Sequence, residues 1–130
     1  MDPHSSHEDI GKKRQQYAAD LKESGFSPEG RTIPVARLLA IAPTDAEAKE
    51  VARAGAQWTV GSYAKGMRNA AGKDPVERYV DDVVVHGTPE RVAEQLLELQ
   101  QTIGLDYLLC APLSQESFVL FNEEVLPKLT

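Results

Sequence analysis

The spacing of apolar residues changes twice between Thr88 and Leu129. From Thr88 and Pro89 a helix is predicted, because a threonine hydroxyl can accept from a backbone N–H two or three residues on and proline suits the first helical position. Val92, Leu96, Leu99 and Ile103 recur at three- and four-residue intervals, Ala93 and Leu97 widen the stripe, and Glu94, Glu98, Gln100 and Gln101 fall on the opposite side. Gly104 supplies a left-handed stop. Tyr107, Leu108, Leu109 and Cys110 then run on without alternation, which predicts a strand buried on both faces, and a last helix follows to Leu129. Helix, strand and helix in direct succession is the rhythm of a parallel sheet with helical crossovers.

The same pattern occurs upstream. Ile33 to Ala42, IPVARLLAIA, reads as a buried strand interrupted by Arg37, whose charge calls for a carboxylate partner more readily than for a ligand. Thr44, Asp45 and Glu47 open a helix that Ala46, Ala48, Val51 and Ala52 continue. Between Ala54 and Ala71 four glycines (55, 61, 66 and 72 in and beside the stretch) alternate with Trp58, Val60, Tyr63 and Met67, which predicts a broken helix with a mobile or partner-dependent tail. Asp74 to Tyr79 reads as a short helical turn and Val83 to Val85 as an extended segment. Residues 1–7 read as a polar loop or tail. Ser5 and Glu8 are spaced as a capping box for a surface helix from about Ser6 to Glu23, closed by Gly25 and its turn residues.

Composition narrows the functional classes. The chain has 130 residues, 42% of them apolar, enough for one globular domain. A net charge of −6 argues against nucleic acid, whose affinity rests on Lys and Arg. The basic run Lys12, Lys13 and Arg14 is followed by Asp20 and Glu23 on one helix and reads as a solvated face. The lone Cys110 excludes an internal disulfide, and the start lacks the basic and apolar regions of a secretory signal; together these point to the cytoplasm. No run approaches the roughly 20 apolar residues of a spanning helix.

Isolated reactive residues carry little by themselves. Cys110 ends an apolar strand and reads as a small core residue before a nucleophile. His4 and His7 could share a helix face but have no third ligand, so no metal site is expected. His86 reads as a structural or solvated imidazole, and Trp58 and Tyr63 as core or interface aromatics that could also stack on a flat ring.

Three blocks in order, VARLLAIAPTDAEAKEVA, GTPERVAEQLLELQQTIGLDYLL and ESFVLFNEEVLPKL, resemble the carboxy-terminal part of bacterial-luciferase-like flavin-dependent oxidoreductases over about residues 15 to 130. The resemblance implies an α/β fold, the end of a TIM-like (β/α)8 barrel with two recognisable parallel strands, in which the blocks stand as the seventh strand and its helix, the eighth helix and strand, and the final helix. It also implies reduced FMN or a deazaflavin, a small organic substrate and, often, dioxygen. A full barrel takes roughly 250 residues, so the chain reads as a single partial domain: a fragment with Met1 as an internal start, or a remnant, inactive alone. The tyrosine that alkanesulfonate-oxidising members carry after the last strand falls at Pro112.

At the barrel mouth the resemblance would place Pro43, Thr44, Cys110, Ala111, Pro112 and Ser114. Of these Thr44, Cys110 and Ser114, with Arg37, are the substrate-side candidates, although Ser114 reads first as a helix cap. No catalytic residue is assigned. The expected partners are a small-molecule substrate reached through a complete barrel, and either the missing barrel half or a second copy. The competing reading is a non-catalytic small α/β module that self-associates or binds a partner.

Overall fold

Three parallel strands and six helices make up the computed structural model, which describes residues 1–63 and 74–130. Helix α1 (His7–Glu23) leads to β1 (Pro34–Ile41), then α2 (Asp45–Tyr63), α3 (Pro75–Asp82), β2 (Val85–Gly87), α4 (Pro89–Ile103) and β3 (Tyr107–Pro112). The chain closes with α5 (Gln115–Leu120), a π-helical turn at Phe121–Val125 and α6 (Leu126–Leu129).

Local chemistry accounts for these boundaries. Thr88 accepts from the Arg91 N–H at 3.4 Å to start α4, and Gly104, at φ 70°, ends it in the left-handed region. The α1 cap is Ser6, which accepts from the Asp9 N–H at 3.1 Å. It is not Ser5, whose hydroxyl instead donates to the Asp2 carboxylate at 3.0 Å. Helix α2 passes without a break through Gly55 and Gly61, so the expected interruption is absent as far as Tyr63; the rest of that expectation, with Gly66, Met67 and Gly72, lies outside the described residues. The expected turn at Asp74 is the full helix α3, capped by the Asp74 carboxylate.

Strand order is β2-β1-β3. The parallel α/β class expected from the sequence is present, with a third strand where only an extended lead-in was foreseen. Leu39, Ala40 and Ile41 pair with Val85, His86 and Gly87, and Pro34 to Leu39 pair with Tyr107 to Pro112. Consecutive strands of a (β/α)8 barrel lie side by side; here β2 and β3 flank β1, and the two crossovers run in opposite directions across the sheet. Right-handed crossovers in opposite directions put their helices on opposite faces.

The core divides accordingly. On one face Val35, Leu39, Ile41 and Val85 pack with Val92, Leu96 and Leu99 of α4, Ile10 of α1, and Phe121 and Val125. On the other, Ala40 meets Ala52 and Ala56 of α2, Tyr79 and Val80 of α3, and Val83 and Val84. That second layer covers the carboxyl end of β1 and leaves most of β3 in solvent. The expectation that Tyr107 to Cys110 is buried on both faces therefore fails: Tyr107 is 49% and Leu109 45% exposed. An unbroken apolar run reads the same whether the strand is central or, as here, at an edge. Leu97 also points outward, beyond the buried stripe of α4.

Candidate functional site

The carboxyl ends of the strands are tied together by side chains just past them. After β1, the Thr44 hydroxyl accepts from the Glu47 N–H at 3.2 Å and donates to the Glu47 carboxylate at 3.1 Å, a reciprocal cap on α2. After β2, the Asp45 carboxylate accepts from the Thr88 N–H at 3.2 Å and from Arg91 at 3.2 Å. After β3, Ser114 caps α5 by accepting from the Ser117 N–H at 3.0 Å.

Ser117 itself is fully buried, its hydroxyl accepting from the Ile41 N–H at 2.9 Å and donating to the Ile41 carbonyl at 3.1 Å. It stands in for the strand residue that would extend β3 past its end. Nothing in the sequence singled Ser117 out; the signal that could have found it is a second serine three residues after a helix cap, on the face that α5 turns to the sheet.

Beside these ties lies an open apolar concavity of about 570 Å³, walled by Leu38 of β1, Val51, Gly55 and Trp58 of α2, and Leu113 and Ser114. A Cβ at Gly55 would stand 2.8 Å from Leu113 Cδ1, so glycine is what lets α2 approach this loop. Trp58 is 69% exposed and so is not a core residue. The side chain of Tyr63, its expected companion, lies outside the described residues.

Arg37 is elsewhere and fully buried. Its guanidinium donates to the carbonyls of Asp2 (2.9 Å), Ser5 (2.9 Å) and Ala36 (2.7 Å), with His7 Nδ1 at 3.1 Å. The expected carboxylate contact is thus replaced by backbone carbonyls of the amino-terminal residues, with the Asp2 charge nearby partly offsetting the burial that lowers the Arg37 pKa. Against the cost of its own partial burial, hydrogen bonds from Lys13, Ser5 and His4 hold the Asp2 carboxyl well below the usual range. Burial, and then the Arg37 charge, push His7 down to about 4.

Residues 1–7 are therefore no loose tail. The Ala36 N–H donates to the Met1 carbonyl at 3.1 Å, and His4 Nδ1 lies 2.5 Å from the hydroxyl of buried Tyr79. A sequence pattern could not reveal this, because the contacts are made largely by backbone carbonyls.

The four candidates do not converge. Thr44 and Ser114 sit at the strand ends as caps, with Ser114 alone bordering the concavity, while Arg37 and Cys110 are register partners within β1 and β3. Cys110 lies inside a strand that runs to Pro112, is exposed, and has its thiol pKa raised by partial desolvation, which is the opposite of nucleophile activation. Burial and then Lys49 lower the His86 pKa. Among the described residues no group of three His, Cys, Asp or Glu could hold a metal, and no helix is long and apolar enough to cross a membrane.

A flavin needs an apolar wall for its ring and cationic or N–H donors for its phosphate. The concavity offers the wall, with Trp58 at its rim, but no Lys or Arg among the described residues lines it. With His4 as its one titratable lining residue among the described residues, the concavity by itself does not fit a whole flavin nucleotide.

Solved structures resemble this fold over nearly its whole length. The oxygenating constituent of 3,6-diketocamphane monooxygenase from Pseudomonas putida, a type II Baeyer-Villiger monooxygenase in complex with FMN, aligns at TM-score 0.67 and 25% identity, covering 95% of this chain and 41% of that one. The coenzyme F420-dependent tetrahydromethanopterin reductase of Methanopyrus kandleri aligns at 0.65 and 14% identity, covering 97% and 44%. EDTA monooxygenase from Chelativorans sp. BNC1 gives 0.61 and 15%, covering 95% and 39%. The last two, at such identities, speak to the fold alone. The chain spans about 40% of the length of these structures. No curated protein matches it. The family described as luciferase-like monooxygenase matches residues 1–106, from ahead of the first recognised block to near the end of the second, and the chain belongs to that family.

Proposed function

We propose that this chain is a piece of a flavin-dependent oxidoreductase of the monooxygenase type, which uses reduced FMN or a deazaflavin and dioxygen on a small organic substrate only when the rest of a barrel is supplied. The observation that carries the reading is the concavity at the strand ends: an apolar wall of Leu38, Val51, Trp58 and Leu113 without a cationic cradle for a phosphate. Joined to the missing strands, that wall would flank a flavin ring and keep water from it, while the phosphate donors would come from the absent part. In this reading Thr44 and Ser114 hold the loops at the site's rim, and Arg37 and Cys110 support it from the sheet. The lone cysteine is consistent with a cytoplasmic enzyme.

Titration with FMN, followed by flavin fluorescence, tests this. The chain alone should leave the fluorescence unchanged at micromolar concentrations. Tight, stoichiometric quenching would show a complete site and overturn the reading.

One observation favours a second reading, a self-associating α/β module without catalysis. The edge of β3 is open and uncharged.

A further inference from the structure

The two edges of the sheet are finished differently. On the outer side of β2, which is three residues long, the His86 carbonyl accepts from Gln95 Nε2 at 2.8 Å, so α4 closes that edge. On the other side the Leu113 N–H donates to the Leu39 carbonyl at 2.9 Å, which fixes the phase of β3. Tyr107, Leu109 and Ala111 turn their backbone groups toward β1. Leu108 and Cys110 turn theirs outward, where they meet no partner among the described residues. Natural edges are blunted by charge, bulges, proline or a cover. Tyr107 to Ala111 has none of these; the strand's one proline, Pro112, stands at its last position, and Asp106, just ahead of Tyr107, is engaged by Arg14 at 3.5 Å.

We propose that β3 pairs antiparallel with β3 of a second copy, about a two-fold axis at Leu109, and so joins two three-stranded sheets into one of six. The inference rests on the self-association reading above. A two-fold contact requires a surface complementary to itself. A strand without charge meets that condition, since no like charges are set opposite each other.

Backbone chemistry selects the register. Only axes that set outward residues against outward residues form bonds, which leaves Leu108, Leu109 or Cys110 as the axis position. An axis at Cys110 sets Leu108 against Pro112, which has no N–H to give. An axis at Leu108 draws Asp106 and its Arg14 partner into the contact. An axis at Leu109 sets Leu108 against Cys110 of the other copy in both halves, forms four N–H to carbonyl bonds, and places Tyr107 opposite Ala111. The two Leu109 residues then form the close pair without hydrogen bonds, with Cα atoms about 4.5 Å apart. The two Cys110 side chains lie diagonally, about 7–8 Å apart.

Mild oxidation tests the register. The double variant Leu109→Cys, Cys110→Ala should convert to a disulfide-linked dimer on a non-reducing gel, because its thiols fall within bridging distance. The unaltered chain, with Cys110 alone, should remain unlinked, as should Phe118→Cys, Cys110→Ala, which places an equally exposed thiol on α5. In sedimentation the unaltered chain should be a dimer and Leu108→Pro a monomer with an unchanged helical circular-dichroism spectrum.

A dimer that survives Leu108→Pro, or that links equally through position 118, overturns the β3 contact while leaving association by another surface. A Leu108→Pro chain that loses its helical spectrum moves the decision to the crosslinks, where failure of the Leu109→Cys pair overturns the contact. An unaltered chain that is monomeric at tens of micromolar overturns self-association altogether. One that then pairs with a co-expressed polypeptide carrying preceding barrel strands assigns the edge to barrel closure instead.

Discussion

The two faces of one small sheet are packed to different standards. Against α4, the β1 side chains Val35, Leu39 and Ile41 are completely buried among large aliphatic neighbours, and Arg37 on that side is enclosed by the amino-terminal residues. Against α2 the buried neighbours are the small Ala52 and Ala56, with Tyr79 and Val80 of α3 beside them; Leu38 and Leu113 are only partly covered, and Trp58 stands in solvent. The closed face holds the fold together. The half-open face carries the concavity, which the chain's own side chains leave unfilled.

That contrast predicts unequal costs for similar truncations. Leu39→Ala removes a side chain with no solvent to relax into and should destabilise the protein by about 3 kcal/mol, read as a lower urea midpoint with an unchanged slope. Leu38→Ala, its neighbour on the half-open face, should cost less than half as much. Equal losses would mean that the two faces are equally packed, and the distinction would fail.

The charged centre of the closed face should respond to acid. His7 has a folded-state pKa of about 4 against an ordinary 6.5, so between those values the unfolded chain binds the extra proton and folding loses stability as pH falls. The loss should start near pH 6.5 and level off near pH 4, reaching about 2–3 kcal/mol. Asp2, whose carboxyl is also depressed, should add its own loss only below the ordinary carboxylate range. Comparing thermal midpoints at pH 7 and pH 4.5 for the protein and for His7→Gln isolates the imidazole: the variant's curve should be flatter over that window. Superimposable curves would detach His7 from the Arg37 cluster.

Gly55→Ala probes whether the half-open face can yield. The new methyl group meets the end of the Leu113 side chain at 2.8 Å, which in a closed core would cost about 1–3 kcal/mol. Here Leu113 borders open space and can turn into it, while alanine favours the helix by about 1 kcal/mol over glycine. The net change should stay within about 1 kcal/mol in thermal denaturation.

How far the sequence revealed this division depends on the element. The amphipathic stripe of α4, with its Thr88 cap and Gly104 stop, was legible because burial on one face leaves a three-to-four-residue period. The β3 run was legible as a strand but not as an edge, since Tyr107 to Cys110 contains no residue that distinguishes a covered face from a bare one. The short strand at Val85 to Gly87 was legible only as an extended lead-in from Val83 to Val85, because three residues carry no period and its pairing with Leu39 to Ile41 is a matter of tertiary contact. At the candidate site Ser114 was legible as a cap and Gly55 only as an interruption, because its use depends on Leu113, 58 residues later, arriving beside it. Arg37 was correctly marked as a charge in need of company. The company it keeps, carbonyls from Asp2 and Ser5, has no side-chain signature to read.

Trp58 offers the smallest and most discriminating comparison. A tryptophan in the closed face would cost about 3–5 kcal/mol on truncation to alanine. At 69% exposure on the rim of the concavity, Trp58→Ala should change stability by less than about 0.5 kcal/mol, because little of its surface is withdrawn from water on folding. The same variant should leave the β3-mediated dimer intact, since Trp58 lies on α2 rather than at that edge. A stability loss of several kcal/mol would instead place Trp58 in the packing of the half-open face, and the distinction between a tightly packed face and a half-open one would have to be withdrawn.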